Sequence, residues 1–138
     1  LLRADKITQE EFRRATFVQH YRTLDEFKAP FDSQDTPVMK AGLRLKSART
    51  QLTKCPYQMA FIESDGAMSA SQYAISLIPT MRSWSETVFL SALSSRPPTE
   101  AQAIVDEFYR SYETEVATNP EGHAMDYIHA IMVIEKVT

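Results

Sequence analysis

The sequence predicts a helix-rich α/β fold in which two β-strands flank a long helical segment. Leucines alternate with cations in the first strand, residues 43–52, and β-branched side chains are frequent in the second, residues 126–137. Between them, from Ser69 to Ala117, apolar residues recur at helical spacings of three and four. Two strands alone do not make a stable sheet. Either the chain is an unusual helix-rich domain, or its strands join a larger sheet supplied by residues that precede Leu1.

The composition is that of one folded domain. The chain has 138 residues, of which 43% are hydrophobic and 10% are aromatic, enough for a core. Its 15 basic and 18 acidic residues leave a net charge of -3, so we expect no nucleic-acid partner. No apolar stretch is long enough to span a membrane, so no membrane association is expected. A single cysteine, Cys55, excludes an internal disulfide and indicates a cytoplasmic protein.

Capping boxes predict two short helices near the start of the chain. The box at Thr8–Glu11 predicts a helix over residues 9–18, and the box at Thr23–Glu26 predicts one from Leu24 until Pro30 ends it. Residues 31–37 have the composition of a loop. The first strand follows this loop and is expected to end before Pro56.

Two longer helices are predicted between the strands. The first is capped by Ser69 or Ser71, and Pro79 is expected to kink or break it near Ser76 because proline removes a backbone donor. The second begins at a capping box formed by Thr99 and Gln102. Its expected buried stripe consists of Ile104, Val105, Phe108, Tyr112 and Val116. The last strand, residues 126–137, is expected to be buried because it is rich in apolar residues.

Few residues indicate chemistry. With three glycines, the chain contains neither a dinucleotide-binding GxGxxG turn nor a P-loop. Its three histidines lack metal-binding spacings, so no metal is expected. Cys55 has no activating neighbour and is interpreted as inert. His129 shares a strand face with Tyr127 and Ile131, where it is either half-buried with one hydrogen bond or lines a pocket. Asp106 and Glu107 are interpreted as part of a solvated helix face.

Met81 and Trp84 are the candidate ligand-binding pair. They are three residues apart on the predicted long helix, so a thioether and an indole project from one face. Such a pair suits an apolar ligand, but the same spacing is also typical of ordinary core packing.

Several segments resemble parts of one enzyme family. They are, by residue number, YRTLDEF at 21–27, KAGL at 40–43, MRSWSE at 81–86, AIVDEFYRSY at 103–112 and MVIEK at 132–136. In this order they resemble the C-terminal part of the SABATH carboxyl methyltransferases. That family shows an MRA-x-x-E helix, an iiDelFxry helix and a closing strand that ends in lysine.

The resemblance implies the last part of a Rossmann-like methyltransferase fold. Two antiparallel strands end the sheet, and an α-helical cap inserted between them covers the substrate. The implied parts are residues 1–58 with the penultimate strand, residues 59–122 as the cap, and residues 123–138 with the final strand. Because the chain starts without methionine and in mid-pattern, we expect it to be a fragment that follows an N-terminal methyltransferase portion.

The resemblance also implies a function. S-adenosylmethionine would be bound mainly by the preceding portion, so this segment alone should not catalyse. Met81, Trp84 and Tyr127 match substrate contacts, and the acceptor would be a small carboxylic acid or a ring nitrogen. A carboxylic acid is ionised at neutral pH and needs no general base, so no catalytic residue is assigned. A homodimer is left open.

A second interpretation uses the same apolar residues. The chain would then be a non-catalytic helical module for binding or dimerisation. Its partner groove would be formed by Met81, Trp84, Phe89 and Phe108.

Overall fold

A computed structural model describes residues 5–137 and confirms a mixed α/β fold that is rich in helix. The elements are α1 Gln9–Arg14, α2 Leu24–Lys28, α3 Pro37–Lys40, β1 Leu43–Thr53, α4 Pro56–Glu63, α5 Ala70–Ala92, α6 Pro98–Thr118 and β2 Tyr127–Lys136. Two short 3-10 turns, Ala29–Phe31 and Pro120–Gly122, complete them. The chain divides into a helical unit, residues 5–18 and 56–124, and a sheet unit, residues 19–55 and 125–137.

The core of the helical unit lies where α5 and α6 pack against each other. Tyr73, Leu77, Val105 and Val116 are almost completely enclosed there. Burying a Leu or Val side chain stabilises the fold by about 1.5–3 kcal/mol. This apolar seam therefore holds the unit together.

Helix α5 is capped by Ser69, whose hydroxyl accepts from the amide of Gln72 while the Gln72 side chain accepts from the amide of Ser69. The helix then runs without interruption through Pro79, so, of the kink or break expected near Ser76, the break is wrong. Pro79 is exposed, while buried Leu77 and Ile78 precede it. Packing on the seam offsets the backbone donor that proline removes.

Helix α6 begins one residue before the expected cap, at Pro98, and makes no side-chain capping bond. The fixed φ angle of proline suits the first helical position, which needs no amide donor. Of the predicted stripe, Ile104, Val105 and Val116 are buried, whereas Phe108 and Tyr112 are half-buried. Ala101 and Tyr109 are buried instead. The buried face is thus slightly rotated from the predicted one.

Both capping boxes near the start of the chain are confirmed, but the helices that follow them are shorter than predicted. Helix α1 ends at Arg14 rather than Val18, and α2 ends at Lys28 before the 3-10 turn that contains Pro30. Beyond α1, the Phe17 ring packs against aromatic rings of α5 instead of continuing the helix.

Helices α3 and α4 were not predicted. Each begins with a proline: Pro37 lies in the segment whose composition predicts a loop, and Pro56 follows the predicted strand. Thr36 caps α3 by accepting from the amide of Met39. Proline at a helix start and proline after a strand end give the same local pattern, which explains both omissions.

The two predicted strands form an antiparallel pair that runs from Leu43 opposite Lys136 to Thr53 opposite Tyr127. A bulge at Lys46 interrupts the register. The expectation of a buried β2 is wrong: Ile128 is 75% exposed and Val133 is 54% exposed. Within residues 5–137, β2 pairs only with β1, and the exposure of its apolar side chains shows that no layer covers them. A larger sheet remains an expectation.

Gly42, just before β1, lies against the backbone of Val137, just after β2. Its φ angle of +80° lies in the left-handed region, and a Cβ at this position would meet the Val137 carbonyl oxygen at 2.5 Å. The Gly42 carbonyl accepts from the Val137 amide at 2.7 Å. Only glycine allows this close approach of the two backbone segments.

Replacing Gly42 with alanine should lower the free energy of unfolding by about 2–4 kcal/mol, because strain at positive φ adds to a backbone clash. Gly66→Ala is the matched control. Gly66 also has a positive φ, +87°, but nothing lies within 4 Å of the point that a Cβ would occupy there. It should cost only about 1 kcal/mol. Urea unfolding followed by circular dichroism measures both, and equal losses would contradict the close-contact explanation.

No helix within residues 5–137 combines the length and apolar character needed to cross a membrane.

Candidate functional site

Trp84 lies on α5 with 44% of its surface exposed. Its indole contacts the Phe17 ring edge to face, with the ring centroids 5.4 Å apart. Met81 lies one turn earlier on the same helix and is half-buried. Both predicted residues are therefore in the helical unit, and the indole has a free surface that a ligand could contact. Their role in substrate binding stays a prediction.

An aromatic row runs inward from this indole. Phe17 contacts Trp84 on one side and Phe89 on the other, at 5.5 Å between centroids. Phe89 in turn packs edge to face on Phe108 of α6 at 4.8 Å. Each such pair adds about 0.5–1.5 kcal/mol beyond burial alone. These ring contacts join the Trp84 side of α5 to α6 and to the segment that follows α1.

At the inner end of this row, α1, α5 and α6 enclose a cavity of about 360 Å³. Its walls are almost entirely apolar: Ile7, Phe12, Ala15, Phe89, Ala92, Leu93, Ile104, Val105 and Phe108, with Glu11 and Thr16 as the polar members. Neither Met81 nor Trp84 lines it, whereas Phe89 and Phe108 do. The four residues of the predicted partner groove are thus divided between the cavity wall and the neighbouring helix surface.

Of the described residues, Glu11 is the one acidic member of the cavity wall, and it is buried. Arg96 donates from Nε to Glu11 Oε1 at 2.6 Å and from Nη2 to Oε2 at 2.7 Å. The Thr8 amide also donates to Oε2, at 2.7 Å. The hydrogen bond from Arg96, followed by that from Thr8, lowers the pKa of Glu11 from 4.5 to about 2. The same carboxylate therefore caps α1 and fixes it to an arginine just before α6.

The MRSWSE segment forms a polar network between α5 and α6. Arg82 pairs with Glu86 one turn later and with Asp106 of α6, at 2.5 Å. The side-chain amide of Gln102 donates from Nε2 to both carboxylates. Hydrogen bonds from Arg82 and then Gln102 lower the pKa values of Glu86 and Asp106. Asp106 is therefore part of an interhelical network, which corrects its interpretation as part of a solvated face.

A buried hydroxyl pair extends this network. The Ser85 and Tyr109 hydroxyls lie 2.7 Å apart, and the Arg82 guanidinium lies 5.0 Å from the Tyr109 ring centre. Burial raises the pKa of the Tyr109 hydroxyl. Residues of the MRSWSE and AIVDEFYRSY segments therefore bind one another. This signal was in the sequence, because Arg82 and Glu86 are four residues apart on one helix face.

Tyr127 opens β2 in the sheet unit and is 50% exposed. Its ring stacks on His129 at 5.9 Å, which confirms that the two share a strand face. His129 is exposed, so the half-buried alternative is wrong. Just before β2, Asp126 accepts from the Lys54 ammonium at 2.8 Å and from the Cys55 amide at 2.9 Å. Lys54 and the Cys55 amide together lower the pKa of Asp126 and fix the start of the strand.

No group of three or more metal-ligating side chains occurs among residues 5–137. For S-adenosylmethionine, the fit is also poor. The Val137 carbonyl occupies the space beside the Gly42 Cα, and the Asn119 side chain occupies the space beside the Gly122 Cα. Gly66 lies in the connection between α4 and α5. None of the three forms a glycine-rich turn between a strand and a helix. No cofactor site is therefore assigned to this part of the chain.

Comparisons with protein-family models, curated proteins and solved structures returned no match.

Replacing Glu11 with glutamine should lower the free energy of unfolding at pH 7 by about 2 kcal/mol, because a buried charge-assisted bond is lost and Arg96 loses its partner. The depressed pKa stabilises the fold above pH 4.5, and this contribution disappears as the pH falls from 4.5 to about 2. The difference between variant and parent should shrink over the same range.

Glu10→Gln is the control for this change, because Glu10 is exposed on the same turn of α1. Its effect should stay within about 0.5 kcal/mol. Urea unfolding at several pH values measures both variants. A Glu11→Gln effect that is small or independent of pH would show that the ion pair does not fix α1.

Proposed function

We propose that this chain supplies the acceptor-covering part of an S-adenosylmethionine-dependent methyltransferase that acts on a small carboxylic acid or a ring nitrogen. The supporting observation is topological. β1 and β2 are antiparallel neighbours, although residues 54–126 and three longer helices separate them in sequence. A helical insertion between two neighbouring antiparallel strands is the arrangement that the resemblance to SABATH methyltransferases implies.

The positions of the matching segments agree with this proposal. MRSWSE lies within α5, AIVDEFYRSY within α6 and MVIEK within β2. The first two segments are joined through Arg82 and Asp106. A network that joins the two long helices gives the insertion a fixed shape, which a cap over a substrate needs.

Positioning would be the main contribution of this chain to the reaction. A carboxylate with a pKa near 4 is already charged at neutral pH, so no side chain has to remove a proton. S-adenosylmethionine would supply the methyl group. Met81, Trp84 and Tyr127 would contact the apolar body of the acceptor and exclude water, and such orientation effects contribute several kcal/mol to catalysis.

The second candidate is a non-catalytic helical module for binding or dimerisation. The apolar cavity lined by Phe89 and Phe108 favours it, because a binding module needs such a surface and a methyltransferase cap does not need it at this position. The two proposals differ in what they require from Trp84. Only the methyltransferase needs the indole to select an acceptor.

Trp84→Ala, made in the complete methyltransferase, should lower kcat/KM for the preferred carboxylic acid by about 2 kcal/mol, roughly 30-fold, while cofactor affinity stays unchanged. The melting temperature should fall only moderately, because the indole is 44% exposed. A fully buried tryptophan would cost about 3–5 kcal/mol of stability.

Ile75→Ala is the matched control, since Ile75 is 58% exposed on the same helix. It should change neither acceptor selectivity nor kcat/KM. Rates over a series of carboxylic acids, with melting curves from the same preparations, decide the question. If Trp84→Ala leaves the relative rates over the series of carboxylic acids unchanged, Trp84 does not contact the substrate.

Isothermal titration with S-adenosylmethionine tests whether the N-terminal portion, rather than this chain, binds the cofactor. A protein that contains both the N-terminal portion and this chain should bind the cofactor, and residues 1–138 alone should not, because they contain no glycine-rich turn. Equally tight binding to residues 1–138 would show that the cofactor does not need the N-terminal portion. No binding to the longer protein would contradict the proposed function itself.

A further inference from the structure

We propose that the cavity enclosed by α1, α5 and α6 is a binding site for an uncharged aromatic molecule. Its volume of about 360 Å³ lies at the lower end of the range of small-molecule sites, about 300–1,000 Å³. Three phenylalanine rings, those of Phe12, Phe89 and Phe108, belong to its wall. Such rings pair well with the edge or face of another aromatic ring.

The charges around the cavity determine the class of ligand. Among residues 5–137, Glu11 is the only ionisable side chain of the lining, and both of its oxygens already accept bonds from Arg96 and Thr8. The carboxylate stays negative because its pKa is about 2. Because Arg96 neutralises it, the cavity wall offers no unpaired charge to an anion or to a cation, and either ion would lose its hydration in these apolar surroundings. An uncharged molecule avoids this cost.

The geometry also provides an entrance. Phe12 is 50% exposed and Thr16 is exposed, and both belong to the cavity wall. Ala92, Leu93 and Val105 on the opposite wall are buried. The cavity is therefore closed by the seam of α5 and α6 and accessible beside α1. Helix α1 has only six residues and is fixed by the Glu11–Arg96 pair, so its position decides the width of the entrance.

This site is separate from the acceptor contacts of the proposed methyltransferase, because Met81 and Trp84 do not line it. The inference does not depend on methyl transfer. Binding to the cavity can be measured without cofactor or activity, so its failure would leave the proposed function unaffected.

The test is a fluorescence titration with N-phenyl-1-naphthylamine, an uncharged aromatic probe whose emission rises in apolar surroundings. The parent protein should bind it saturably. Ala92→Leu adds carbon atoms to the cavity wall and should weaken binding at least about tenfold, equivalent to about 1.4 kcal/mol. Ile75→Phe, on an exposed part of α5 outside the cavity, is the control and should change the affinity less than about twofold.

Thr16→Phe fills the entrance from the other side and decides the matter if Ala92→Leu does not fold. Circular dichroism melting curves should show an unchanged or raised melting temperature for a folded cavity-filling variant. The anionic probe 1-anilinonaphthalene-8-sulfonate should bind at least about tenfold more weakly than the uncharged one. Absence of saturable binding, binding that survives in the folded filling variant, or equal affinity for the anion would overturn the proposal.

Discussion

The apolar seam between α5 and α6 is the constraint on which the helical unit depends. Tyr73, Leu77, Val105 and Val116 are enclosed along it, and the Ser85–Tyr109 hydroxyl pair lies within it. Arg82 pairs with Asp106 across the same two helices. The apolar contacts supply most of the stabilisation, while the polar pairs are satisfied only when the helices are aligned in one way. The apolar seam therefore stabilises the helical unit, and the polar network specifies one alignment of α5 and α6.

Side-chain periodicity and capping chemistry made much of this fold predictable. The alternating leucines of β1, the Thr8, Thr23 and Ser69 caps and the spacing of α5 are local signals, and each element exists. Proline was the main source of error. At Pro37 and Pro56 it begins helices, and at Pro79 it lies within one. Which role a proline takes depends on tertiary packing, because the burial of neighbouring residues offsets the lost hydrogen bond.

The candidate site was predictable only in part. Helical spacing placed Met81 and Trp84 on one helix, but it could not identify Phe17 as the partner of the indole. The Glu11–Arg96 pair joins residues that are far apart in sequence, so no local pattern indicates it. The same limit applies to the cavity, whose walls come from three separate segments. The burial of β2 was wrongly expected because apolar composition indicates what a strand could bury, and not whether a covering layer is present.

If the proposed methyltransferase function holds, the polar network determines what the helical unit could offer to a carboxylate acceptor. Arg82 is the cation closest in sequence to Trp84, and two carboxylates already neutralise it. Releasing the guanidinium toward a substrate would leave Glu86 and Asp106 close together without their cation, which is costly in a partly buried position. Around Trp84, the helical unit therefore presents apolar surface and no free charge from Arg82. In the proposed methyltransferase, an acceptor carboxylate near Trp84 would receive no charge compensation from Arg82, so this helix would determine the shape of the acceptor rather than its charge.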